Sequence, residues 1–89
     1  MSKKENEGIV FTVHARKMLV EREISMDWLL RVVKSPTQTM PGKDDPELTH
    51  ALGPIAEHGN RILRVVYNDH VQPKKIVTVY FDRTVKGKL

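Results

Sequence analysis

The sequence has no cysteine among its 89 residues and no long apolar run. The lack of thiols excludes disulfide bonds, thiolate zinc sites and cysteine nucleophiles. No apolar stretch approaches the roughly 20 residues that a membrane-spanning helix needs. The polar, mixed-charge residues 1–7 do not resemble a secretory signal, so we expect a cytoplasmic protein. Nucleotide-binding glycine loops, serine-triad spacings and paired-carboxylate motifs are also missing.

What remains is the composition of a small globular protein. Hydrophobic residues make up 39% of the chain and charged residues 29%, which is neither disordered nor fibrous. A chain of this length forms one domain. We predict a flexible N-terminal tail at residues 1–8, a single domain at residues 9–84 and a C-terminal tail at residues 85–89.

The charge balance permits an acidic partner. Fifteen Lys and Arg residues against eleven Asp and Glu residues give a net charge of +4, and the sequence pI is about 9.6. Such a balance suits nucleic acid or an acidic protein. It is also common in small domains that need charge only for solubility.

A strand pattern changes to a helix pattern at Thr12. Residues 9–12 are typical of a short strand, and Thr12 is a good N-cap, so we predict that a helix begins directly after it. Arg22 falls within the apolar stripe of this helix. We interpret it either as pairing with a carboxylate, with Asp82 as the candidate, or as binding a ligand. The apolar stripe contains Ala15, Met18 and Leu19.

A second helix is predicted from Ser25 to a point before Pro36. Ser25 is the expected N-cap, and Asp27 in the first turn complements the helix dipole. Apolar residues cover more than half of its circumference, which indicates a mostly buried helix. We interpret Trp28 as a core residue rather than as a platform for a stacked base.

The C-terminal half has the pattern of antiparallel strands joined by hairpins. Strands are predicted at residues 48–56, 61–68 and 76–82, with exposed loops at 41–47 and 69–75. Gly53 and Pro54 indicate that the first of these strands has an edge position or a bulge. Alternation in the last strand predicts that Val77, Val79 and Phe81 face the helices. The opposite set comprises Ile76, Thr78, Tyr80 and Asp82.

The predicted fold is therefore α+β, with the order β-α-α-β-β-β. An antiparallel sheet has two helices packed on one face, and its other face is left open. Arg64 and Tyr80 are candidates to project from that open face.

His14 is the first candidate for a catalytic group. It lies at a helix start, where free N–H groups and the helix dipole favour phosphate, and its imidazole could accept a proton. Tyr80 is the second candidate. The alternatives are that His14 only bonds to a neighbouring strand or loop and that Tyr80 only packs. The candidate phosphate-binding residues are Arg16, Lys17, Arg22 and Arg64.

The other three histidines do not suggest a metal site. His50, His58 and His70 have no useful ligand spacing with one another or with the carboxylates. We interpret them as surface residues and predict no metal and no cofactor.

Several motifs resemble those of a family of small bacterial and archaeal proteins known as domain of unknown function 4258. The most specific are His14-Ala-Arg16, with Met18 and Arg22 after it, and Val77-Thr-Val-Tyr80. The resemblance covers about residues 11–83. The family usually ends its first helix with a glycine where this chain has Glu23, so we expect the turn to be made with Glu23 in an ordinary conformation.

The family is similar in element order to the RelE/ParE superfamily of toxins, which includes BrnT-like ribonucleases. This resemblance implies a metal-independent endoribonuclease that lays RNA on the open sheet face and is neutralised by a small antitoxin. His14 would then be the base or acid, and Tyr80 a proton donor or stacking platform. Arg16, Arg22 and Arg64 would hold phosphate.

Two rival hypotheses involve no catalysis. The same sheet face could bind nucleic acid or a partner protein. Alternatively, an exposed edge strand could accept a segment of another chain, although the edge at Gly53 and Pro54 is poorly suited to this role.

Overall fold

A computed structural model that describes residues 8–85 contains two helices and five strands. The elements follow the predicted order, with one additional strand, Gln38–Pro41, after the second helix. Most of both predicted tails, residues 1–7 and 86–89, lies outside the described residues. Short turns of 3-10 helix follow the third and fifth strands, at Ala56–His58 and Arg83–Val85. The main elements are β1 (Ile9–Phe11), α1 (Val13–Glu21), α2 (Met26–Lys34), β2 (Gln38–Pro41), β3 (Leu48–Ile55), β4 (Arg61–Asn68) and β5 (Lys74–Phe81).

Both helices begin at the predicted N-caps. The Thr12 hydroxyl accepts a hydrogen bond from the Ala15 amide at 3.0 Å. The Ser25 hydroxyl accepts from the amides of Asp27 and Trp28 at 3.0 and 3.4 Å. Each cap satisfies amides that have no partner inside the helix. Neither described helix is long and apolar enough to cross a membrane.

The five strands form one sheet in the order β1-β5-β4-β3-β2. Strands β2 to β5 pair antiparallel, as predicted, but β1 pairs parallel with β5. The sheet is therefore mixed rather than purely antiparallel. A strand of three residues carries too little pattern to predict its direction, and here β1 lies at the edge beside the last strand of the chain.

The core lies between the two helices and one face of the sheet, as predicted. Residues from α1 and α2 pack with alternate residues of the long strands. Trp28 is only half-buried, at the rim of this cluster, where its ring lies 6.1 Å from Phe81 and 5.3 Å from His58. The largest fully buried residues of the cluster are Leu29, Ile55, Leu63, Ile76, Val32, Val65 and Val79.

Gly53 and Pro54 lie near the C-terminal end of β3, and only this end of the strand is at an edge of the sheet. β3 is an interior strand, because β2 pairs with it from Thr49 to Leu52. The pairing of β2 with β3 stops at Leu52. Among the described residues, Pro54 therefore lies where β3 pairs only with β4. The missing N–H of Pro54 therefore costs no ladder bond. The predicted edge position is correct for this end of β3 and wrong for the strand as a whole.

A bulge in β5 changes the predicted alternation. Val66 pairs with Thr78, but Tyr67 pairs with Ile76, which leaves Val77 as an extra residue. Ile76 is consequently fully buried in the helix-facing core, whereas the prediction placed it on the open face. Val77 lies outside that core cluster, contrary to the prediction, while Val79 and Phe81 face the helices as expected.

The turn after α1 uses a left-handed residue. Glu23 has φ 53°, so the expectation of an ordinary conformation was wrong. Its amide donates to the Val20 carbonyl at 3.2 Å, and the Ile24 amide donates to the Leu19 carbonyl at 2.9 Å. This pair of bonds is the Schellman motif, with buried Leu19 and Ile24 making its usual apolar contact. Glu23 thus adopts the conformation that a glycine would adopt without strain.

We predict that Glu23→Gly stabilises the protein. A side chain in the left-handed region costs about 1–2 kcal/mol, and the entropy of glycine in the unfolded chain offsets part of the gain. The free energy of unfolding should rise by about 0.5–1 kcal/mol, which raises the melting temperature by several degrees. Thermal and urea unfolding measure both quantities. Glu23→Ala is the matched control, because it keeps the Cβ atom; if it stabilises as much as Glu23→Gly, the backbone conformation is not the cause.

Candidate functional site

The face of the sheet opposite the helices brings two predicted site residues together. Arg64 on β4 pairs directly with Tyr80 on β5, so their side chains stand side by side. Three apolar residues of this face are buried although they lie outside the helix-facing core. They are Leu52, Ile62 and Val66.

Arg64 is held by a nearly buried ion pair with Asp82. Its Nε and Nη2 atoms lie 2.7 and 2.6 Å from Asp82 Oδ2, and the side chains are 12% and 8% exposed. The other carboxylate oxygen, Oδ1, accepts from the amide and hydroxyl of Thr84 at 2.8 and 2.6 Å. Asp82 thus fixes Arg64 and also holds the 3-10 turn that follows β5.

The predicted pairing of Asp82 with Arg22 is therefore wrong. Arg22 is the exposed C-cap of α1, and its Nε lies 3.3 Å from Met18 Sδ. Asp82 points to the open face, because its amide bonds to the Ile62 carbonyl and places it next to Arg64. Strand register decides this pairing, and the sequence did not reveal the register.

Opposing effects set the pKa of Asp82. Burial alone would raise the pKa of its carboxyl group, but the hydrogen bonds from Thr84 and the guanidinium of Arg64 outweigh burial and hold it below its ordinary value. The carboxylate is thus charged whenever the protein is folded near neutral pH. The pair as a whole carries no net charge.

His50 extends this chain of contacts. Its Nδ1 lies 2.8 Å from Arg64 Nη1. A guanidinium can only donate, so Nδ1 must accept, and the neutral ring carries its proton on Nε2. Burial, together with the charge of Arg64, lowers the pKa of His50, and Asp82 opposes this only in part. His50 was predicted to be a surface residue, but it is half-buried and oriented.

A cleft of about 430 Å³ opens beside these residues. His50, Arg64 and Tyr80 form one wall, and the loop from Gly42 to Asp45 forms the other. A Cβ atom on Gly42 would lie 2.7 Å from the Asp45 carbonyl oxygen and 3.2 Å from His50 Nε2. The loop therefore approaches the imidazole closely only because residue 42 is a glycine.

His14 reaches the same face from the first turn of α1. The Thr12 hydroxyl, which caps α1, also donates to the Val77 carbonyl at 3.1 Å, at the bulge in β5. This contact holds the first turn of α1 against β5, and His14 Nε2 lies 3.1 Å from the Thr78 hydroxyl. Thr78 and Tyr80 are on the same face of β5, about 7 Å apart. His14, Thr78, Tyr80, Arg64 and His50 thus form one zigzag row across the open face, in which Thr78 and His50 lie level with Val66 and the pair of Tyr80 and Arg64 lies at the next level.

The three predicted phosphate-binding cations of α1 and its C-cap do not all lie on the same side of the helix. Lys17 and Arg22 lie on the side of α1 that carries His14, whereas Arg16 lies on the opposite side. Arg16 packs over the Phe11 ring at 5.3 Å, and Lys17 lies 3.8 Å from the Glu21 carboxylate. None of the three lines the cleft. Of the predicted site residues, His14, Tyr80 and Arg64 thus lie along the open face, whereas Arg16 lies away from it.

Sequence reasoning missed His50 and the pairing of Asp82. Alternation in β3 places His50 on the same face as Leu52, but its position near Arg64 follows only from the register of β3 and β4. Within residues 8–85, no three His, Asp or Glu side chains are close enough to hold a metal ion.

Most of the chain matches the model of a known protein family. The model described as "Domain of unknown function (DUF4258)" matches residues 11–81 of the 89-residue chain. The chain belongs to the DUF4258 family. No curated protein and no solved structure matches it.

Nearly all of the candidate site lies in the DUF4258 region. His14, His50, Arg64 and Tyr80 are within the matched residues, and Asp82 follows their last residue directly. The row across the open face is therefore built by the DUF4258 domain itself. The ion pair between Arg64 and Asp82 joins that domain to the residue after it.

We predict that Asp82→Asn is strongly destabilising. It keeps the size of the side chain but leaves the guanidinium of Arg64 unpaired in a nearly buried position, which costs about 3 kcal/mol. Urea unfolding at pH 7 measures the loss. The exposed pair between Arg31 and Glu57 provides the control, and Glu57→Gln should destabilise the protein far less, because water solvates both of its groups. Equal losses in the two variants would show that Arg64 is well solvated.

We further predict that stability falls as the pH decreases below about 6.5, the ordinary pKa of histidine. The pKa of His50 in the folded protein is lowered, so the unfolded chain binds the proton first as the pH falls. The stabilisation present above about pH 6.5 is therefore lost as the pH falls through the pKa of the folded protein. His50→Asn keeps an acceptor for Arg64 and cannot titrate. Its free energy of unfolding should fall less than that of the wild type between pH 7 and pH 5, and an unchanged slope would contradict the assignment. His70→Asn controls for the loss of an imidazole.

Proposed function

We propose that the protein is a RelE-like, metal-independent endoribonuclease toxin, or a degenerate relative of one, that binds RNA across the open face of its sheet. The observation that supports this proposal is the row formed by His14, Thr78, Tyr80, Arg64 and His50. Proton-exchanging and hydrogen-bonding groups from a helix and three strands lie side by side there.

RNA cleavage without a metal needs two proton transfers. The 2′-hydroxyl loses its proton as O2′ attacks the adjacent phosphorus, and the departing O5′ gains a proton, which leaves a 2′,3′-cyclic phosphate and a 5′-hydroxyl. His14 is exposed and would serve as the base that accepts the 2′-hydroxyl proton, while Tyr80 would donate the proton from its hydroxyl to the departing O5′. Both side chains can reach a strand of RNA that runs along β5.

Phosphate would be held by hydrogen bonds and by nearby charge. Arg64 Nε and Nη1 bond to Asp82 and His50, and Nη2 lies 2.6 Å from Asp82 Oδ2, so at least two of its five N–H groups remain for a ligand. Lys17 and Arg22, on the His14 side of α1, would add positive charge at the other end of the row.

A second candidate function is binding without cleavage. The observation that favours it is the neutralisation of Arg64 by Asp82, because a compensated guanidinium stabilises a developing negative charge less than a free one. The same face would then bind RNA or another nucleic acid as a passive surface.

A toxin of this type would be paired with a small antitoxin protein. The gene beside the one that encodes this chain is the simplest place to look for it. An antitoxin-sized neighbour whose product binds this protein would support the toxin proposal.

The proposal predicts cleavage of single-stranded RNA in the presence of a chelator. The full chain should produce 2′,3′-cyclic phosphate ends, and His14→Ala should lower the rate by about 10²–10⁴-fold, the usual contribution of a general acid or base. Tyr80→Phe should also lower the rate. Expression of the wild type should arrest growth, and His14→Ala should relieve that arrest.

His70→Ala, in the exposed loop between β4 and β5, is the matched control and should cleave like the wild type. Urea unfolding must show that each variant remains folded. RNA binding without cleavage, with an affinity that falls steeply as salt rises, would replace the enzyme with the binding module. An absence of binding to RNA and to single-stranded DNA would reject both functions.

A further inference from the structure

The cleft beside His50 differs in charge from a phosphate site. Arg64 lines it, but Asp82 neutralises that guanidinium. Among the lining residues within 8–85, the only other cation is Lys43, which lies next to Asp44 and Asp45 in the same loop. The lining therefore carries no excess positive charge that would attract a phosphate group.

The remaining walls of the cleft are apolar or aromatic. The Tyr80 ring forms part of the wall on the sheet side. The volume of the cleft, about 430 Å³, is within the usual range for a small-ligand site. Apolar walls with a few polar groups favour a flat, uncharged ring over a phosphate. The other apolar lining residues are Met40, Pro41 and Leu48.

Two hydrogen-bond donors are open to this space. His50 carries its proton on Nε2, and Nε2 has no hydrogen-bond partner within residues 8–85. No buried side-chain nitrogen or oxygen in this part of the chain lacks a partner, so Nε2 is not fully buried, and His50 lines the cleft. The same argument places the Tyr80 hydroxyl in contact with solvent. The carboxylates of Asp44 and Asp45 supply acceptors on the opposite wall.

We propose that this cleft binds one unstacked nucleobase of single-stranded RNA, with His50 Nε2–H donating to an acceptor on the base edge. The base lies against the Tyr80 ring, and the sugar-phosphate chain continues along β5 towards His14. This inference rests on the proposed function and adds a specificity-determining residue to it. Sequence-specific proteins commonly read single-stranded RNA by stacking and hydrogen bonding of this kind.

Asp82 and Arg64 act as positioning residues for this contact. Arg64 donates to Nδ1 and thereby keeps the His50 proton on Nε2, where it faces the cleft. Asp82 holds Arg64 in place. The lowered pKa of His50 keeps the ring neutral, which preserves this arrangement at neutral pH.

The test compares two uncleavable RNAs with the same number of phosphates. The first is an eight-nucleotide 2′-O-methyl RNA with all its bases, and the second is the abasic strand of the same length. The full-length wild type should bind the first about 10-fold more tightly or better, because stacking adds affinity that phosphates do not supply. Fluorescence anisotropy at constant salt measures both affinities.

His50→Asn should weaken binding to the base-containing RNA about 5- to 10-fold and leave the abasic strand unaffected, because it removes one base-edge hydrogen bond. Asparagine still offers an acceptor to Arg64, and urea unfolding checks that the variant folds. His70→Asn is the matched control and should change neither affinity. Tyr80→Phe should keep the preference for bases, since it keeps the ring, whereas Tyr80→Leu should lose it.

Equal affinity for the two strands would overturn the base site and leave the RNA-binding function standing. Equal weakening of both strands by His50→Asn would also overturn it, because His50 would then contact phosphate. If neither strand binds, the proposed function and this inference fail together.

Discussion

The open face of the sheet depends on the ion pair between Arg64 and Asp82. A guanidinium that is only 12% exposed must have a partner, and this one has a carboxylate on one side and the His50 imidazole on the other. The pair allows the neighbouring apolar residues Ile62 and Val66 to be buried on a face that no helix covers. It also fixes which nitrogen of His50 carries the proton.

A second constraint is the contact between the start of α1 and the bulge in β5. The Thr12 hydroxyl serves two purposes, since it accepts from the first turn of the helix and donates to Val77, the extra residue of the bulge. The bulge changes which side chains face the core and also gives the helix start a carbonyl to bind. Without it, His14 would not be placed against Thr78 at the edge of the open face.

Features set by short-range chemistry were predictable from the sequence. The caps Thr12 and Ser25, the element order and the helix-covered face follow from hydrogen bonding and periodicity within a few residues. The pairing of Asp82 was not predictable, because it depends on the register of β4 and β5. The bulge at Val77 was missed for the same reason, and His50 was misjudged because a lone histidine reveals nothing of its neighbours across strands. Of the candidate site, the sequence indicated Arg64 and Tyr80 together but not the network that orients them.

The short outer strands have a consequence for how copies of this protein meet. β1 has three residues and β2 has four, and β2 ends in Pro41. Where β3 extends beyond β2, Pro54 has no N–H to offer a neighbouring strand. A rim built in this way gives an approaching chain few backbone groups to pair with, so the sheet resists growth into a shared intermolecular sheet.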